Sequence, residues 1–303
     1  MLVEGYYGRL GMVRSLNSVN QINIAYGNTT TPQEVVELEH ALSAAGYTVP
    51  QLHPDRSFSD EELSTTLSDW IGDAFALLQL IGKEDAEPFL RRDLRQSMTL
   101  YTDGGSPSEK TLIVAVPGAN NRLMMPIATL LQALDARTAD LVVIRDPSHT
   151  AFFKGLEGFA ETRDALIDAL PGYLNFGSYR RVASLGVSAG GLPALLIAIR
   201  LGLQSALVCG GDTPLDPRQH DIGGPAAAAA LAKAAEQESV GGITIAYGAQ
   251  HEADRLAARE LADFLGIEPL AITNAKGNVL HNLLYALAEE GGLPGFLAER
   301  LGL

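Results

Sequence analysis

The stretch Tyr179–Gly202, YRRVASLGVSAGGLPALLIAIRLG, decides the fold. Val182, Ala183, Ser184 and Leu185 make a short run suited to a buried parallel strand, and Leu192–Leu201 is an almost wholly apolar segment of helical length. Between them lies Gly186-Val187-Ser188-Ala189-Gly190-Gly191. A serine on so sharp a strand-to-helix turn is held in a strained backbone conformation, and its neighbours two residues away must be small for strand and helix to approach. Gly186 and Gly190 meet that need, and Gly191 leaves further room. The turn lifts the Ser188 hydroxyl clear of the sheet, next to the unpaired N–H groups and the positive dipole end of the helix that follows. A developing negative charge is stabilised in such a place.

The chain around this turn has a matching rhythm. From Met98 onward it reads as strand SMTLYTD, turn GGSPSEK, strand TLIVAVPG, a helix over Met124–Leu134, strand DLVVIRD and a helix over Phe159–Leu170. After the serine turn come strand SALVCGG, an alanine-rich helix over Ala226–Glu236, strand GITIAYGA, a helix over Ala253–Leu265 and strand PLAIT. Strands alternating with helices at these spacings predict a doubly wound, mostly parallel α/β sheet with right-handed crossovers. Ligands of such sheets gather at the carboxyl ends of the strands. Those ends carry Pro117-Gly118-Ala119-Asn120-Asn121, Asp146-Pro147-Ser148-His149, Ser188, Gly211-Asp212 and the run Gly248–Asp254. Upstream, Gln21–His53 reads as a compact βαβ unit with a capping box at Thr31 and Glu34, a second capping box at Ser59 and Glu62 opens a helix through Trp70, and Asp85–Arg95 continues helical. The expected division is a lead-in or cap module over residues 1–95 and a core over 96–303.

Gly186-Val187-Ser188-Ala189-Gly190 fits G-x-S-x-G, and with a buried strand before it and a buried helix after it the sequence resembles the α/β-hydrolase superfamily over about Met98 to Leu303. The resemblance implies a serine nucleophile, then an acid, then a histidine in chain order. Ser188 needs a base to take its proton, and the base needs an acceptor on its other nitrogen. His281, after the last strand in ITNAKGNVLHNLLYAL, matches the family's base; its plain alternative is a surface histidine at a helix start. His40, His53 and His220 fit less well. The acid is expected in the loop after GITIAYGA, where Asp254 is the first choice and Glu252 the second, while Asp212 after the preceding strand is a third. Either loop carboxylate also serves as an ordinary first-turn helix charge. His251 occupies a slot where the family commonly carries the acid, which departs from the pattern. The resemblance places the two oxyanion donors on the Ala189 and Ala119 backbone N–H groups, with Asn120 as alternate, Pro117-Gly118 standing where relatives carry His-Gly. It implies hydrolysis of an ester or related acyl bond, with acyl transfer, or a binding protein that has lost the chemistry, as alternatives. The segment Gly155–Gly172, with Phe159, is a candidate cover for the site.

Composition narrows the partners. The chain has 303 residues, nearly half of them apolar, and a formal net charge of −14. That charge argues against a general nucleic-acid or anionic-membrane partner and leaves a small acyl or ester substrate, with an oligomer also open. The N-terminus MLVEGYYGRLGMV carries Glu4 where a signal peptide would be positive, and no run reaches membrane-spanning length, so a cytoplasmic protein is expected. Cys209, the single cysteine, reads as a buried core thiol. There is no dinucleotide fingerprint, Walker loop or metal-spacing cluster, and Pro147 between Asp146 and His149 points to a turn, so neither cofactor nor metal is expected.

Overall fold

A computed structural model describes residues 89–119, 122–125, 127–236 and 242–303. The readings of the βαβ unit, both upstream capping boxes, Trp70, His40, His53 and Asn120 lie outside the described residues. By internal packing the chain divides into two units, Met1–Ala86 with Met125–Ala133, and Glu87–Met124 with Leu134–Leu303. Of the first unit, one helix, α1 (Ile127–Gln132), is among the described elements.

The second unit is built on an eight-stranded sheet among the described residues. Its strands are β1 (Leu90–Arg95), β2 (Met98–Thr102), β3 (Thr111–Val116), β4 (Ala139–Ile144), β5 (Arg181–Val187), β6 (Ser205–Cys209), β7 (Ile243–Gly248) and β8 (Leu270–Ile272), in spatial order β1-β2-β4-β3-β5-β6-β7-β8. The pairs β1–β2 and β2–β4 are antiparallel, and every pair from β4 through β3 to β8 is parallel. All residues of β3 and β4 are buried, as strands covered on both faces require. The unit's helices are α2 (Arg163–Tyr173), α3 (Gly191–Leu201), α4 (Gly224–Glu236), α5 (Glu252–Leu265), α6 (Leu283–Glu289) and α7 (Leu293–Leu301). Helix α3 packs on β3, β5 and β6, where Leu192, Leu195 and Leu196 join Val114, Val116 and Val208 in the core. This is the doubly wound, mostly parallel sheet of α/β-hydrolase type.

Two readings of the sequence are corrected. Residues 90–95 are not helical: they form β1, paired antiparallel with β2 from Leu90↔Thr102 to Arg95↔Met98. Leucine and arginine favour a helix weakly, and pairing to a neighbouring strand outweighs that preference. The charges of LRRDLR suit a sheet edge, where they discourage pairing with another chain. Residues 90–95 thus belong to the core sheet rather than the lead-in. The helix expected from Phe159 begins at Arg163, after the Thr162 hydroxyl caps the Ala165 N–H at 3.2 Å. Phe159 precedes it in a tight loop closed by Leu156↔Ala160 pairing, its ring 4.8 Å from that of Tyr173 with the Arg95 guanidinium 4.9 Å above it.

At the foot of β3 a buried lysine ties two strands. Lys110 pairs with Asp103 and, at 2.8 Å, with Asp140 of β4, whose other oxygen accepts from the Tyr179 hydroxyl at 3.0 Å. At the head of β5 the constraint is steric. A Cβ on Gly186 would lie 2.5 Å from the Ala194 Cβ and 2.5 Å from the Gly190 carbonyl oxygen. Gly186→Ala is therefore expected to lower the urea-derived stability by about 1–3 kcal/mol. Gly177→Ala, at a position with no atom within 4 Å of the added carbon, is expected to leave it unchanged; equal effects of the two would contradict the close-approach account.

Candidate active site

The sheet brings its functional side chains to one edge by strand order alone. Ser188 follows β5, Gly210 and Asp212 follow β6, His251 and Asp254 follow β7, and His281 follows β8. These strands are consecutive neighbours. All the parallel strands point the same way, so their carboxyl ends form one rim.

Ser188 adopts φ +49°, a left-handed conformation that costs a non-glycine residue energy and persists only when its surroundings enforce it. Enforcement comes from both sides. Val187 before it is extended, and a one-turn 3₁₀ segment, Ser188–Gly190, leads directly into α3. A side chain on Gly190 would run into the carbonyl oxygens of Val116 and Pro117, so the turn is pressed against the end of β3. The same proximity brings Gly118 to the serine: a Cβ there would lie 3.5 Å from Ser188 Oγ. The Gly118–Arg122 loop is closed by the Gly118 N–H donating to the Arg122 carbonyl at 3.0 Å. Ala119, on this loop, and Ala189, after the serine, both line a cavity of about 200 Å³.

Three carboxylates were candidates for the partner of His281, and the structure separates them. Asp254 is buried, and its Oδ2 lies 2.8 Å from His281 Nδ1. Glu252 is exposed and paired with Arg255, Nε to Oε2 at 2.7 Å. Asp212 lines the 200 Å³ cavity. The Asp254–His281 contact is held by a backbone brace between their loops. Ala249 N–H donates to Ile272 O at 2.9 Å, Gln250 N–H to Val279 O at 3.1 Å, and His251 N–H to Gly248 O at 2.9 Å. Gly210 leaves room for the pair, since a Cβ there would lie 2.8 Å from Asp254 Oδ2 and 3.2 Å from His281 Nδ1.

His251, which the sequence marks only as a departure from the family pattern, has contacts that sequence reasoning missed. It caps α5, its Nδ1 accepting from the Asp254 N–H at 3.3 Å, and the same nitrogen lies 2.9 Å from Asp254 Oδ1. One carboxylate thus stands between two imidazoles, whose ring centres are 5.4 Å apart. The signal was present in the spacing: His251 and Asp254 are three residues apart at a helix start, where cap and first-turn residues meet. Ligand atoms of His251, Asp254 and His281 all lie within 4.8 Å of one another, near enough to share a cation; the 2.8 Å separation of His281 Nδ1 and Oδ2 is that of a hydrogen bond, while the His251 Nδ1 lone pair, 2.9 Å from Oδ1, is turned to the Asp254 N–H.

The other residues singled out by position have structural work. Asp146 organises its loop, accepting from Ser148 N–H and Oγ–H at 2.9 and 2.6 Å and from Thr150 and Phe152 N–H at 2.8 Å each. His149 stands at φ +52° in that turn. Cys209 is buried in β6, where burial pushes its thiol well above the ordinary range and keeps it un-ionised. Among the described residues no helix is long and apolar enough to cross a membrane.

The Asp254 hydrogen bond holds the His281 pKa above the usual 6.5; burial opposes it, and the charges of Asp254 and then Asp212 add to it. A raised folded-state value means that the bound proton adds stability fully present below about 6.5 and lost as the pH climbs through the folded value. NMR titration of the His281 ring is expected to place its midpoint above 6.5, and Asp254→Asn to move it down. An unchanged midpoint in that variant would assign the effect to another group.

No protein-family model matches the chain, and no curated protein matches it. Similar solved structures include an α/β-hydrolase enzyme from a metagenome of Mar Chica lagoon sediments, at 16% identity and TM-score 0.43 over 70% of this chain and 99% of that one. A carboxyl esterase from the mycorrhizal fungus Tuber melanosporum is similar at 11% identity and TM-score 0.46 over 73% and 88%. A hyperthermophilic esterase from Pyrobaculum calidifontis is similar at 13% identity and TM-score 0.45 over 80% and 94%. With a mostly parallel sheet in this strand order, a left-handed serine at the end of β5 and an aspartate–histidine pair after β7 and β8, the chain has the α/β-hydrolase fold.

Proposed function

We propose that this protein is a serine hydrolase that cleaves a small ester or related acyl bond, with Ser188 as nucleophile, His281 as general base and acid, and Asp254 as the carboxylate that orients the histidine. The observation that carries the reading is the 2.8 Å contact between Asp254 Oδ2 and His281 Nδ1, on the sheet edge where Ser188 is held in its strained bend. With Nδ1–H donated to Asp254, the tautomer is set and the lone pair of Nε2 is the one that accepts a proton.

The steps follow. Ser188 Oγ forms a bond to the acyl carbon as its proton passes to His281 Nε2, and the carbonyl oxygen becomes an oxyanion. The N–H groups of Ala189 and Ala119, two residues that line the cavity, are the donors proposed to stabilise it. One such donor typically contributes about 3–4 kcal/mol to the transition state. Collapse breaks the bond to the leaving alcohol, which takes the proton from His281. Water then attacks the acyl-enzyme, giving its proton to His281, and the free acid departs as Ser188 regains its hydrogen. A soluble small-molecule substrate and a cytoplasmic setting accord with the net charge of −14.

Steady-state hydrolysis of short p-nitrophenyl esters tests the assignment. Ser188→Ala is expected to lower kcat by about 10⁶-fold, and Asp254→Asn by up to about 10⁴-fold. Glu252→Gln is expected to stay within about twofold, as an exposed first-turn charge should. The kcat/KM of the unaltered protein should rise with pH through the free-enzyme His281 value, above 6.5. Full turnover by Asp254→Asn, with loss in Asp212→Asn, would contradict the assignment of the acid.

A further inference from the structure

The Asp254 carboxylate is approached by more imidazole than one hydrogen-bonded pair requires. Its Oδ2 meets His281 Nδ1 at 2.8 Å, but its Oδ1 lies 2.9 Å from a nitrogen that already serves as an acceptor. His251 Nδ1 takes the Asp254 N–H at 3.3 Å, so its lone pair and the carboxylate oxygen meet with no hydrogen between them. Two acceptors that close repel unless a positive centre joins them. The cap bond is the part most easily given up, since 3.3 Å exceeds the ~2.9–3.0 Å usual for an N–H donor.

A proton on His251 would answer that contact alone; the third residue makes a ligand set. One ligand atom from each of His251, Asp254 and His281 lies within 4.8 Å of the other two. Two imidazoles and a carboxylate are the ligands of a three-residue zinc site, which keeps a further position for water. Nitrogens on a tetrahedral zinc stand about 3.4 Å apart, so closing the set takes about 1.4 Å of movement or less. Both rings have an open side, 35% of the His251 and 38% of the His281 side chain being exposed. The charges that bear on the His281 ring are the carboxylates of Asp254 and Asp212, and Arg255, next in sequence, is engaged by Glu252. The surroundings thus favour a cation.

We infer that His251, Asp254 and His281 form a site for a divalent transition-metal cation such as Zn²⁺, and that the ion switches the catalytic histidine off. The switch rests on the serine-hydrolase reading; the ion site does not. A neutral imidazole carries one proton. Metal on His281 Nδ1 takes the place of the hydrogen given to Asp254, so that proton passes to Nε2, which then has no lone pair for the Ser188 hydroxyl. Removing the ion returns the proton to Nδ1.

Zinc binding by the whole protein, read by competition with a chromophoric chelator, is expected to show one site with a micromolar dissociation constant. Excess Mg²⁺, which takes oxygen ligands, should leave it unaffected. His251→Asn keeps a helix-capping residue and removes the imidazole; it is expected to weaken the site by about tenfold or more, since outer partners of a metal alone are worth about 10–100-fold. Asp254→Asn should weaken it likewise. Hydrolysis of p-nitrophenyl acetate should fall as the site fills and return with EDTA, and His251→Asn should need correspondingly more zinc for half-inhibition. No binding at micromolar zinc, displacement by Mg²⁺, or binding that His251→Asn leaves intact in folded protein would overturn the site. Undiminished hydrolysis at a filled site would overturn the switch. Zinc bound at these residues without any Ser188-dependent hydrolysis keeps the ion site and removes the serine-hydrolase reading; Ser188-dependent hydrolysis without binding does the reverse.

Discussion

The structure depends on one forced backbone bend. Ser188 is driven to φ +49° because an extended strand must become a helix within one turn, with the turn and helix leaving no room for a side chain at Gly186 and the end of the neighbouring strand leaving none at Gly190. Strain of this kind survives only where its surroundings over-determine it. Here the surroundings are β3, β5, β6 and the helix Gly191–Leu201 packed across them. The sheet's core stability thus holds one hydroxyl in an otherwise unfavourable position, and the same packing sets Ala189 and Gly118 around it.

The second constraint is electrostatic and acts on the neighbouring strand ends. Asp254 is buried between His251 and His281, and a buried carboxylate is tolerable only when it is hydrogen-bonded or paired. Its Oδ2 is satisfied by the His281 imidazole, and the raised pKa of His281 is the other side of that exchange. His251 caps the helix that carries Asp254, accepting its N–H, and stands beside the carboxylate. The backbone hydrogen bonds from Ala249 to Ile272 and from Gln250 to Val279 make this arrangement a property of the fold rather than of flexible side chains.

The sheet was legible in the sequence wherever strands are buried on both faces, because TLIVAVPG, DLVVIRD and SALVCGG admit few other readings. It was illegible at Leu90–Arg95, where the charge pattern of an edge strand looks like a helix surface until a partner strand is known. The serine was legible because its motif is local. The carboxylate partner of His281 was ranked rather than fixed, Asp254 before Glu252, because the two stand two residues apart on one helix, about 200° apart around its axis, and only the packing of that helix decides which one turns inward.

The account turns on whether the strained hydroxyl and the His281 ring act on the same atom. A crystal structure of the protein after reaction with a fluorophosphonate addresses this directly. Phosphorus bonded to Ser188 Oγ, His281 Nε2 within about 3.2 Å of that oxygen, and the phosphonyl oxygen held by the Ala119 and Ala189 N–H groups is the predicted result. An adduct on Ser188 with the His281 ring out of reach, or modification at another residue, would contradict it.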